Sequence, residues 1–317
     1  HAALESGRLV AKNLLMHDYQ NVGIIGAGIS GLSIAHDLAE AGRTVQVIEA
    51  RDRIGGRIYS DYSLGVSCDL GASWVHGADG NPLTELVGSA GMRHVVTDTS
   101  WVARDRGKKL EDADLPAWIE SISLYDNAAG ASADAVNVWS YLFFSDYSGD
   151  ELIFPDGYAQ IFENFKGDYD VNLNQVVEMI EYSEDAVRIS SNSGVSDFDA
   201  VVVTVPLGVL KAGAIQFKPE LPAYKRDAID RLGMGTLDKI YLKFDEVFWD
   251  KEPHLLITPF TDYEKGQFNN WINLYALFGE PVLVAFNGGP AALALASESD
   301  EVVVQRAFNT IRRAYGY

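Results

Sequence analysis

The chain has 317 residues, 47% of them hydrophobic and 22% charged, which is typical of a folded protein of about two domains and excludes a disordered or collagen-like chain. Its 45 acidic and 25 basic side chains give a net charge of −20, which disfavours nucleic acid and attracts small cations, although the same excess serves solubility alone. No apolar run is long enough to predict a membrane span. The single cysteine, Cys68, excludes an internal disulfide and a four-cysteine zinc site, so we expect no metal and a reducing, cytoplasmic location.

The first fifty residues predict one βαβ unit. Its elements are a helix over 2–15 with a narrow face of Ala3, Gly7, Val10 and Leu14, a strand over 22–25, a helix over 30–41 that Gly42 closes, and a strand over 44–48. Both strands are continuous apolar runs, as in a parallel sheet that is buried on both faces. The order of strand, glycine-rich turn, helix and strand is that of a nucleotide-binding half-domain.

The rest of the chain predicts mainly β-structure with a final helix. The predicted elements are a charged loop over 104–114, a helical segment over 115–147 with Trp118, Trp139, Tyr141, Phe143 and Phe144, strands over 176–181, 185–190, 198–205, 239–244 and 281–286, and a helix that Asp300 caps and that runs to Tyr315. The run 198–205 is apolar throughout, so we expect it to be buried on both faces. Strict alternation in 239–244 puts Lys239 on the side opposite Ile240 and Leu242.

A G-x-G-x-x-G motif occupies Gly26 to Gly31, between a predicted strand and a predicted helix. Gly26 allows a tight turn, Gly28 lets the backbone approach a pyrophosphate, and Gly31 lets the helix pack closely on the strand. The pyrophosphate is expected at the helix N-terminus, where N–H groups are free. Glu49 stands 18 residues after Gly31, at the position of an acid that accepts hydrogen bonds from ribose hydroxyls. This pattern predicts a dinucleotide site and leaves FAD and NAD open.

The segment after the second strand distinguishes the two cofactors. Residues 49–57, E-A-R-D-R-I-G-G-R, resemble the E-A-x-x-R-x-G-G-R run of the flavin amine oxidase family. The resemblance implies that Arg51 and Arg57 contact the diphosphate and ribityl parts of FAD, for which forked arginine donors are suited. The pair Gly55 and Gly56 implies a second close approach of the backbone to the cofactor and disfavours an NAD dehydrogenase.

The next motif, D-L-G-A-S-W-V-H-G over 69–77, is similar to the segment that passes along the isoalloxazine ring in polyamine oxidases. His76 resembles a histidine that faces the substrate channel in those enzymes, and a loop histidine with only local hydrogen bonds is the alternative. The turn 154–158 and the run 203–211, V-T-V-P-L-G-V-L-K, also match the family. By the same resemblance the backbone at Val177 holds the adenine.

The resemblance implies a catalytic role for Lys239. The segment 233–240 matches the family's G-x-x-x-K-I/V pattern, which implies that Lys239 holds a water beside flavin N5. An exposed strand lysine, like Lys243 four residues later, is the alternative interpretation.

The order of the motifs differs from that of the family. Residues 1–11, H-A-A-L-E-S-G-R-L-V-A, resemble the family's last helix, which supplies N–H groups to the pyrimidine end of the flavin, yet they stand first here. The family's later A-G-E motif does not occur in this sequence. The resemblance therefore covers most of 1–83 and 151–316 in permuted order. A circular permutation, a fragment of a longer or tandem chain, and a sequence with residues missing all explain this order.

The resemblance implies an α/β fold with a Rossmann-type (GR2-like) FAD-binding domain over 1–90 and 151–235. An α+β substrate-binding domain with a mixed or antiparallel sheet is expected over 91–150 and 236–317. The implied site residues are Gly26, Ala27, Gly28, Ser30, Gly31, Glu49, Ala50, Arg51, Gly56, Arg57, Gly71, Ala72, Ser73, Trp74, Val177 and Ala3 for FAD, His76 for the substrate and Lys239 for catalysis.

The implied reaction is FAD-dependent oxidation of a small cationic amine. In it, the carbon–nitrogen bond of a polyamine of the spermine or spermidine type becomes an imine, and oxygen is reduced to hydrogen peroxide. Alternatives on the same scaffold are monoamines, amino acids or methyl-lysine as substrates. An alternative of another class is a flavin-binding fragment without turnover, and the oligomeric state is left open.

Overall fold

The computed structural model describes residues 1–121, 127–137, 147–184 and 186–317. Its helices are α1 (Ala2–Leu14), α2 (Ile29–Glu40), α3 (Pro82–Ser89), α4 (Trp118–Ser121), α5 (Leu207–Lys211), α6 (Ala223–Arg231), α7 (Leu274–Phe278), α8 (Gly289–Leu295) and α9 (Asp300–Tyr315), with 3-10 helices over Asp112–Asp114 and Tyr158–Phe165. Within these ranges, no helix has the length and apolar character that a membrane span requires.

The strands are short and numerous. They are β1 (Asn21–Ile25), β2 (Thr44–Ile48), β3 (Ser60–Asp61), β4 (Cys68–Asp69), β5 (Trp74–Val75), β6 (Val95–Thr97), β7 (Trp101–Asp105), β8 (Lys108–Leu110), β9 (Glu151–Ile153), β10 (Asp170–Asn172), β11 (Val177–Tyr182), β12 (Val187–Ser191), β13 (Gly194–Phe198), β14 (Ala200–Val203), β15 (Gln216–Lys218), β16 (Leu237–Lys243), β17 (Leu255–Ile257), β18 (Asn270–Asn273) and β19 (Val282–Gly288). The predicted aromatic residues Trp139, Tyr141, Phe143 and Phe144 lie outside the described residues.

A four-stranded parallel sheet in the order β10-β2-β1-β14 forms the centre of the first half. Helices α1 and α2 and the second 3-10 helix pack on one face of this sheet. A second sheet, in the order β13-β12-β11-β15, packs on the other face. The apolar strands therefore face hydrophobic layers on both sides, and the predicted βαβ unit of β1, α2 and β2 is confirmed.

Helix α1 docks on α2 through a face that differs in part from the predicted one. Its buried residues are Leu4, Gly7 and Ala11, whereas Ala3 is exposed. A Cβ atom at Gly7 would lie 2.4 Å from Ser33 Oγ, so the helix axes approach too closely for a side chain there. Because Gly7 has to stand at this contact, the helix turns Leu4 and Ala11 inwards and Ala3 outwards.

The prediction that 198–205 is buried on both faces is wrong for β14. Its residues are half-buried. The reason is that β14 is the edge strand of the parallel sheet, where β1 is its one neighbour among the described residues. The run is also divided, since Phe198 ends β13 and Ala200 begins β14.

The predicted charged loop 104–114 is largely a β-hairpin. Strands β7 and β8 pair with a two-residue turn at Arg106 and Gly107, both with positive φ. Buried Ala103 and Leu110 face each other across the pair, which anchors the charged turn to the core.

The second half contains a six-stranded mixed sheet in the order β16-β19-β18-β17-β7-β8. One face of this sheet packs against α9, and the other faces α7 and the short strand β9. Helix α9 has the predicted limits, except that Ser299 rather than Asp300 is its N-cap residue. The predicted mixed sheet of the α+β part is therefore confirmed.

A small sheet in the order β5-β9-β6 joins the two halves. Strands β5 and β9 belong to the predicted FAD domain and β6 to the predicted substrate domain, so the exact domain limits stay a prediction. This junction matters for function because Trp74 and Glu151 stand on neighbouring strands within it.

Candidate active site

The glycine-rich turn between β1 and α2 has the close contacts that its sequence predicts. Gly26 has φ +107°, and a Cβ atom at Gly31 would lie 2.0 Å from the carbonyl oxygen of Gly26. Gly28, in contrast, faces open space, because no described atom beyond its chain neighbours lies within 4 Å of an added Cβ. No side chain of the described residues caps the N-terminus of α2 at Gly28, while Ser30 in its first turn is half-buried. This open turn at a helix N-terminus can hold a pyrophosphate.

Glu49 lies at the end of β2 with its carboxylate against the same turn. It accepts hydrogen bonds from the backbone N–H of Ala27 at 2.7 Å and of Arg51 at 2.9 Å. A carboxylate has about four acceptor positions, so two stay available for the hydroxyls of a ribose. The structure thus brings Glu49 and the Gly26 to Gly31 turn together as predicted.

The second glycine pair lies directly on the first glycine-rich turn. The N–H of Gly55 donates to the carbonyl of Ala27 at 2.8 Å, and a Cβ atom at Gly56 would lie 3.4 Å from Gly28 Cα. Both glycines have positive φ, which explains why this pair is glycine. Two backbone segments without side chains therefore meet at Gly28.

The arginines of this segment have different environments. Ala50, Arg51 and Arg57 are exposed, and the side chains of the two arginines bond to none of the residues that the structure describes. Arg53 instead donates to the carbonyls of Ile54 and Gly56 and so holds the loop in place. The predicted contacts of Arg51 and Arg57 with a diphosphate stay predictions. The exposure of both side chains is compatible with them.

The Gly71 to Trp74 segment continues from this groove. The N–H of Ala72 donates to the carbonyl of Arg57 at 3.0 Å, and a Cβ atom at Gly71 would lie 1.8 Å from that oxygen. Ser73 is buried next to the half-exposed Trp74. Backbone hydrogen bonds thus link three predicted flavin-contacting segments in succession, and we call the surface along them the groove.

Lys239 reaches this segment from β16. Its side chain stands opposite buried Ile240 and Leu242, as the alternation predicts. Its Nζ donates to the carbonyl oxygens of Asp69 at 3.0 Å and Gly71 at 2.5 Å, and also to the hydroxyl of Ser73. An ammonium has three N–H groups, and these three acceptors match them, so the predicted water at Lys239 stays a prediction.

Burial gives this lysine an unusual proton affinity. Desolvation lowers the pKa of Lys239 to about 8, while the nearby Asp69 carboxylate opposes the shift. Burial raises the pKa of Asp69, and hydrogen bonds from Ser60 and the Tyr158 backbone act in the opposite direction. A lysine with a pKa near neutrality can exchange a proton during a reaction.

His76 lies further out along the same surface. Its ring is nearly parallel to that of Trp74, with an angle of 11° and 6.3 Å between the ring centroids. Lys239 Nζ lies 5.5 Å from the Trp74 ring centroid on the inner side. His76 Nδ1 bonds to Glu151 Oε2 at 2.5 Å, a partner 75 residues away that the sequence analysis does not name.

Three residues of the site are missed by the sequence analysis. Glu151 binds His76, Tyr241 donates to the carbonyl of Asp69 at 2.9 Å, and Phe286 packs on Trp74 with 6.2 Å between centroids. Tyr241 shares the Lys239 face of β16 by simple alternation, a signal that was available. Glu151 and Phe286 become part of the site only through the pairing of separate strands.

Two further predicted cofactor residues, Val177 and Ala3, stand on β11 and α1. The side chain of Val177 is buried between the two sheets of the first half. Val177 pairs with Ser191 of β12, and its predicted backbone contact with adenine stays a prediction. Ala3 is exposed near the start of α1, and its predicted contact with the flavin stays a prediction.

These features fit a dinucleotide with a bulky redox ring. The open space at Gly28, the uncapped α2 N-terminus and the Glu49 carboxylate suit the diphosphate and ribose. A Rossmann-type half and a second half with a mixed sheet, joined by the half-buried Lys239, fit an oxidoreductase of the flavoprotein class.

Comparison with known proteins specifies this class. The family model for flavin containing amine oxidoreductases matches residues 29–118 and 118–317. Probable polyamine oxidase 4 of Arabidopsis thaliana is 32% identical over a gapped alignment of 341 positions, which covers 88% of this chain and 68% of that protein. Lysine-specific histone demethylase 2 of Homo sapiens is 29% identical over a gapped alignment of 367 positions, which covers 95% of this chain and 45% of that protein. The chain belongs to the flavin-containing amine oxidoreductase family and is an FAD-dependent amine oxidase.

A solved structure supports the same fold. A putrescine oxidase variant, studied for redesign of its cofactor binding, superposes with a TM-score of 0.71 and covers 94% of this chain and 81% of its own. Its sequence identity is 20%, so this likeness concerns the fold alone. Helix α1 precedes residue 29 and therefore lies outside the region that the family model matches.

Proposed function

We propose that this amine oxidase acts on small polyamines of the spermine and spermidine type. The observation that carries the proposal is the row of Lys239, Trp74, His76 and Glu151, which leads outwards from the predicted flavin segment. A polyamine alternates methylene groups with ammonium groups, so it needs aromatic walls together with hydrogen-bond acceptors. Polyamine oxidases of Arabidopsis and rice are among the relatives, which supports the same substrate class.

Each part of the groove has a separate task in this proposal. When bound, FAD supplies the acceptor for a hydride equivalent from the carbon beside the substrate nitrogen, and oxygen then becomes hydrogen peroxide. Trp74 and Phe286 cover the apolar part of the amine and exclude water from the reacting carbon. Lys239, with a pKa of about 8, can donate or accept a proton at Nζ while water hydrolyses the imine to an aldehyde and an amine.

A second candidate is demethylation of methyl-lysine. It is favoured by the human lysine-specific histone demethylase 2, which matches 95% of this chain. The chemistry at the carbon–nitrogen bond is the same for both substrates, so the two functions differ in the walls of the outer groove rather than at Lys239.

Anaerobic reduction of the purified flavoprotein separates these functions. Spermine, spermidine, a monoamine and a monomethyl-lysine peptide are mixed with it in turn, and the loss of oxidised-flavin absorbance is followed. We expect the polyamines to bleach the flavin fastest and to yield peroxide when oxygen is admitted. Faster bleaching by the peptide would favour the demethylase, and bound flavin that no amine bleaches would show a flavin-binding protein without turnover.

A further inference from the structure

Glu151 holds the predicted substrate histidine at a fixed place and is not part of any predicted site. One carboxylate oxygen, Oε2, bonds to His76 Nδ1 at 2.5 Å, and the other accepts the N–H of Gly77 at 3.0 Å. The side chains are 67% exposed for His76 and 42% exposed for Glu151, so both border the open groove. A carboxylate that is bound at both oxygens has a defined direction toward the ring.

Strand pairing and hydrogen bonds hold the backbone around this pair. Glu151 begins β9, where it pairs with Thr97 of β6, while β5 pairs on the other side of β9. Gly77 has φ +65°, and a Cβ atom there would lie 1.9 Å from the carbonyl oxygen of Tyr147. The side-chain amide of Asn81 donates to the carbonyls of both His76 and Gly77 at 3.1 Å. The histidine loop is therefore fixed by contacts that do not involve the imidazole itself.

The chemistry of the ring follows from this arrangement. A carboxylate accepts hydrogen bonds only, so Nδ1 has to carry the proton that the bond requires. In the neutral imidazole, the lone pair then remains on Nε2. The imidazole lies nearly parallel to the indole ring of Trp74. Nε2 is thus an acceptor that can receive an N–H of an amine.

We infer that Glu151 is the positioning residue of His76: it fixes the Nδ1–H tautomer, so that Nε2 binds a nitrogen of the substrate. The inference rests on the proposed amine substrate and assigns substrate affinity rather than the reaction step to this pair. Because Glu151 acts on the substrate through His76, its removal should not weaken substrate binding further once the imidazole is gone, although its bond to the Gly77 N–H is lost as well.

The first test reads the tautomer without turnover. Nitrogen-15 NMR of histidine-labelled, flavin-loaded protein at about pH 8 distinguishes a protonated from an unprotonated ring nitrogen, and the His76→Asn spectrum assigns the signals. We expect Nδ1–H for His76 in the parent and in the control Asp150→Asn, which removes the neighbouring exposed acid. In Glu151→Ala we expect a shift to the Nε2–H form. An unchanged tautomer in Glu151→Ala overturns the inference.

The second test is kinetic. In anaerobic reduction by spermine, Glu151→Ala is expected to weaken the apparent Kd about tenfold or more, which is about 1.4 kcal/mol, with a nearly constant limiting rate. Glu151→Gln, which keeps the shape and an acceptor oxygen, should recover part of this loss. The double variant His76→Asn with Glu151→Ala should equal His76→Asn alone, and additive losses contradict the inference.

The two tests separate this inference from the proposed function. If no amine reduces the parent flavoprotein, the proposed function fails, while the NMR comparison still decides the link between His76 and Glu151. Retained flavin and an unchanged circular dichroism spectrum in Glu151→Gln exclude misfolding as the cause of any loss.

Discussion

Lys239 combines a charge, burial and a set of backbone acceptors within one groove. Its ammonium binds two carbonyl oxygens and one hydroxyl of the Asp69 to Ser73 segment, so it fixes the loop that the resemblance places along the flavin ring. Carbonyl dipoles compensate the buried charge only in part, which is why its pKa falls to about 8. The same residue is therefore a structural contact of this loop, and its proposed part in proton transfer stays a prediction.

Replacement of Lys239 by Met keeps the length of the side chain and removes its charge. We expect flavin binding to survive, while reduction by amine or reoxidation by oxygen slows about tenfold or more, equivalent to about 1.4 kcal/mol of barrier. The control is Lys243→Met on the same face of β16, because Lys243 is exposed and donates to Leu64 instead. Stopped-flow measurement of both half-reactions checks this, and parent rates in Lys239→Met would assign a structural role alone.

The lowered pKa of Lys239 also predicts a pH dependence of stability. Between pH 8 and its ordinary pKa of 10.5, the unfolded chain holds a proton that the folded chain has lost, so stability from this group rises with pH. Burial raises the pKa of Cys68 from 9.0 to about 11, which has the opposite effect above pH 9. Between about pH 8 and about pH 9, the Lys239 effect is therefore present without the opposite effect of Cys68.

Urea unfolding of the parent and of Lys239→Met across that window measures this effect. The free energy of unfolding of the parent should rise relative to the variant, by at most about 1.4 kcal/mol per pH unit for one proton. A difference between the two proteins that stays flat, or that falls with pH, would contradict the assigned pKa.

At the scale of elements, the N-terminus of α2 contains one glycine that we assign to cofactor binding, Gly28, and one that packing requires, Gly31. Gly28 has an extended backbone, with φ −81° and ψ 180°, and faces open space, so Gly28→Ala should fold normally. Its methyl group would occupy the approach of the pyrophosphate, and we expect the purified variant to lose FAD. The ratio of flavin to protein absorbance measures this, and stoichiometric flavin in Gly28→Ala refutes the assignment.

Gly31→Ala provides the matched comparison. Its Cβ atom would lie 2.0 Å from the carbonyl of Gly26, so this change strains the packing of α2 on β1 with or without cofactor. We expect a loss of about 1–3 kcal/mol in the stability of the flavin-free protein. Thermal unfolding of the flavin-free variants should therefore distinguish the two glycines.

The sequence predicts an element well where strict alternation of side chains or a required glycine determines the structure. Lys239 is predicted on the correct face of β16 because this strand alternates strictly, and the α2 turn is predicted because Gly26 and Gly31 stand where a side chain does not fit. The hairpin of β7 and β8 is missed since its charged turn resembles a loop, and only the pairing of Ala103 with Leu110 anchors it. Glu151 is missed for a related reason, because its partner His76 is 75 residues away in the chain.

At the scale of the whole molecule, the groove is assembled from segments that are distant in sequence. The glycine-rich turn, the Gly71 to Trp74 segment and Lys239 meet where the parallel sheet, the small three-stranded sheet and the mixed sheet adjoin. Helix α1 stands first in the chain and still packs beside this region, since a Cβ atom at Gly7 would lie 2.8 Å from the carbonyl of Ser30. Contact between elements, rather than their order along the chain, therefore decides where the predicted motifs act.

The net charge of −20 gives the whole molecule a long-range attraction for cations. A polyamine carries several positive charges and a monoamine carries one, so the field of the protein should accelerate their capture unequally. Salt shortens the range of this field, from a Debye length of about 30 Å at about 0.01 M to about 8 Å at about 0.15 M.

We expect kcat/KM for spermine to fall with ionic strength several times more steeply than kcat/KM for benzylamine. Steady-state peroxide assays in chloride and in sulfate at matched ionic strength measure both slopes and separate screening from anion binding. Equal slopes for the two amines would mean that the acidic surface serves solubility and takes no part in substrate capture.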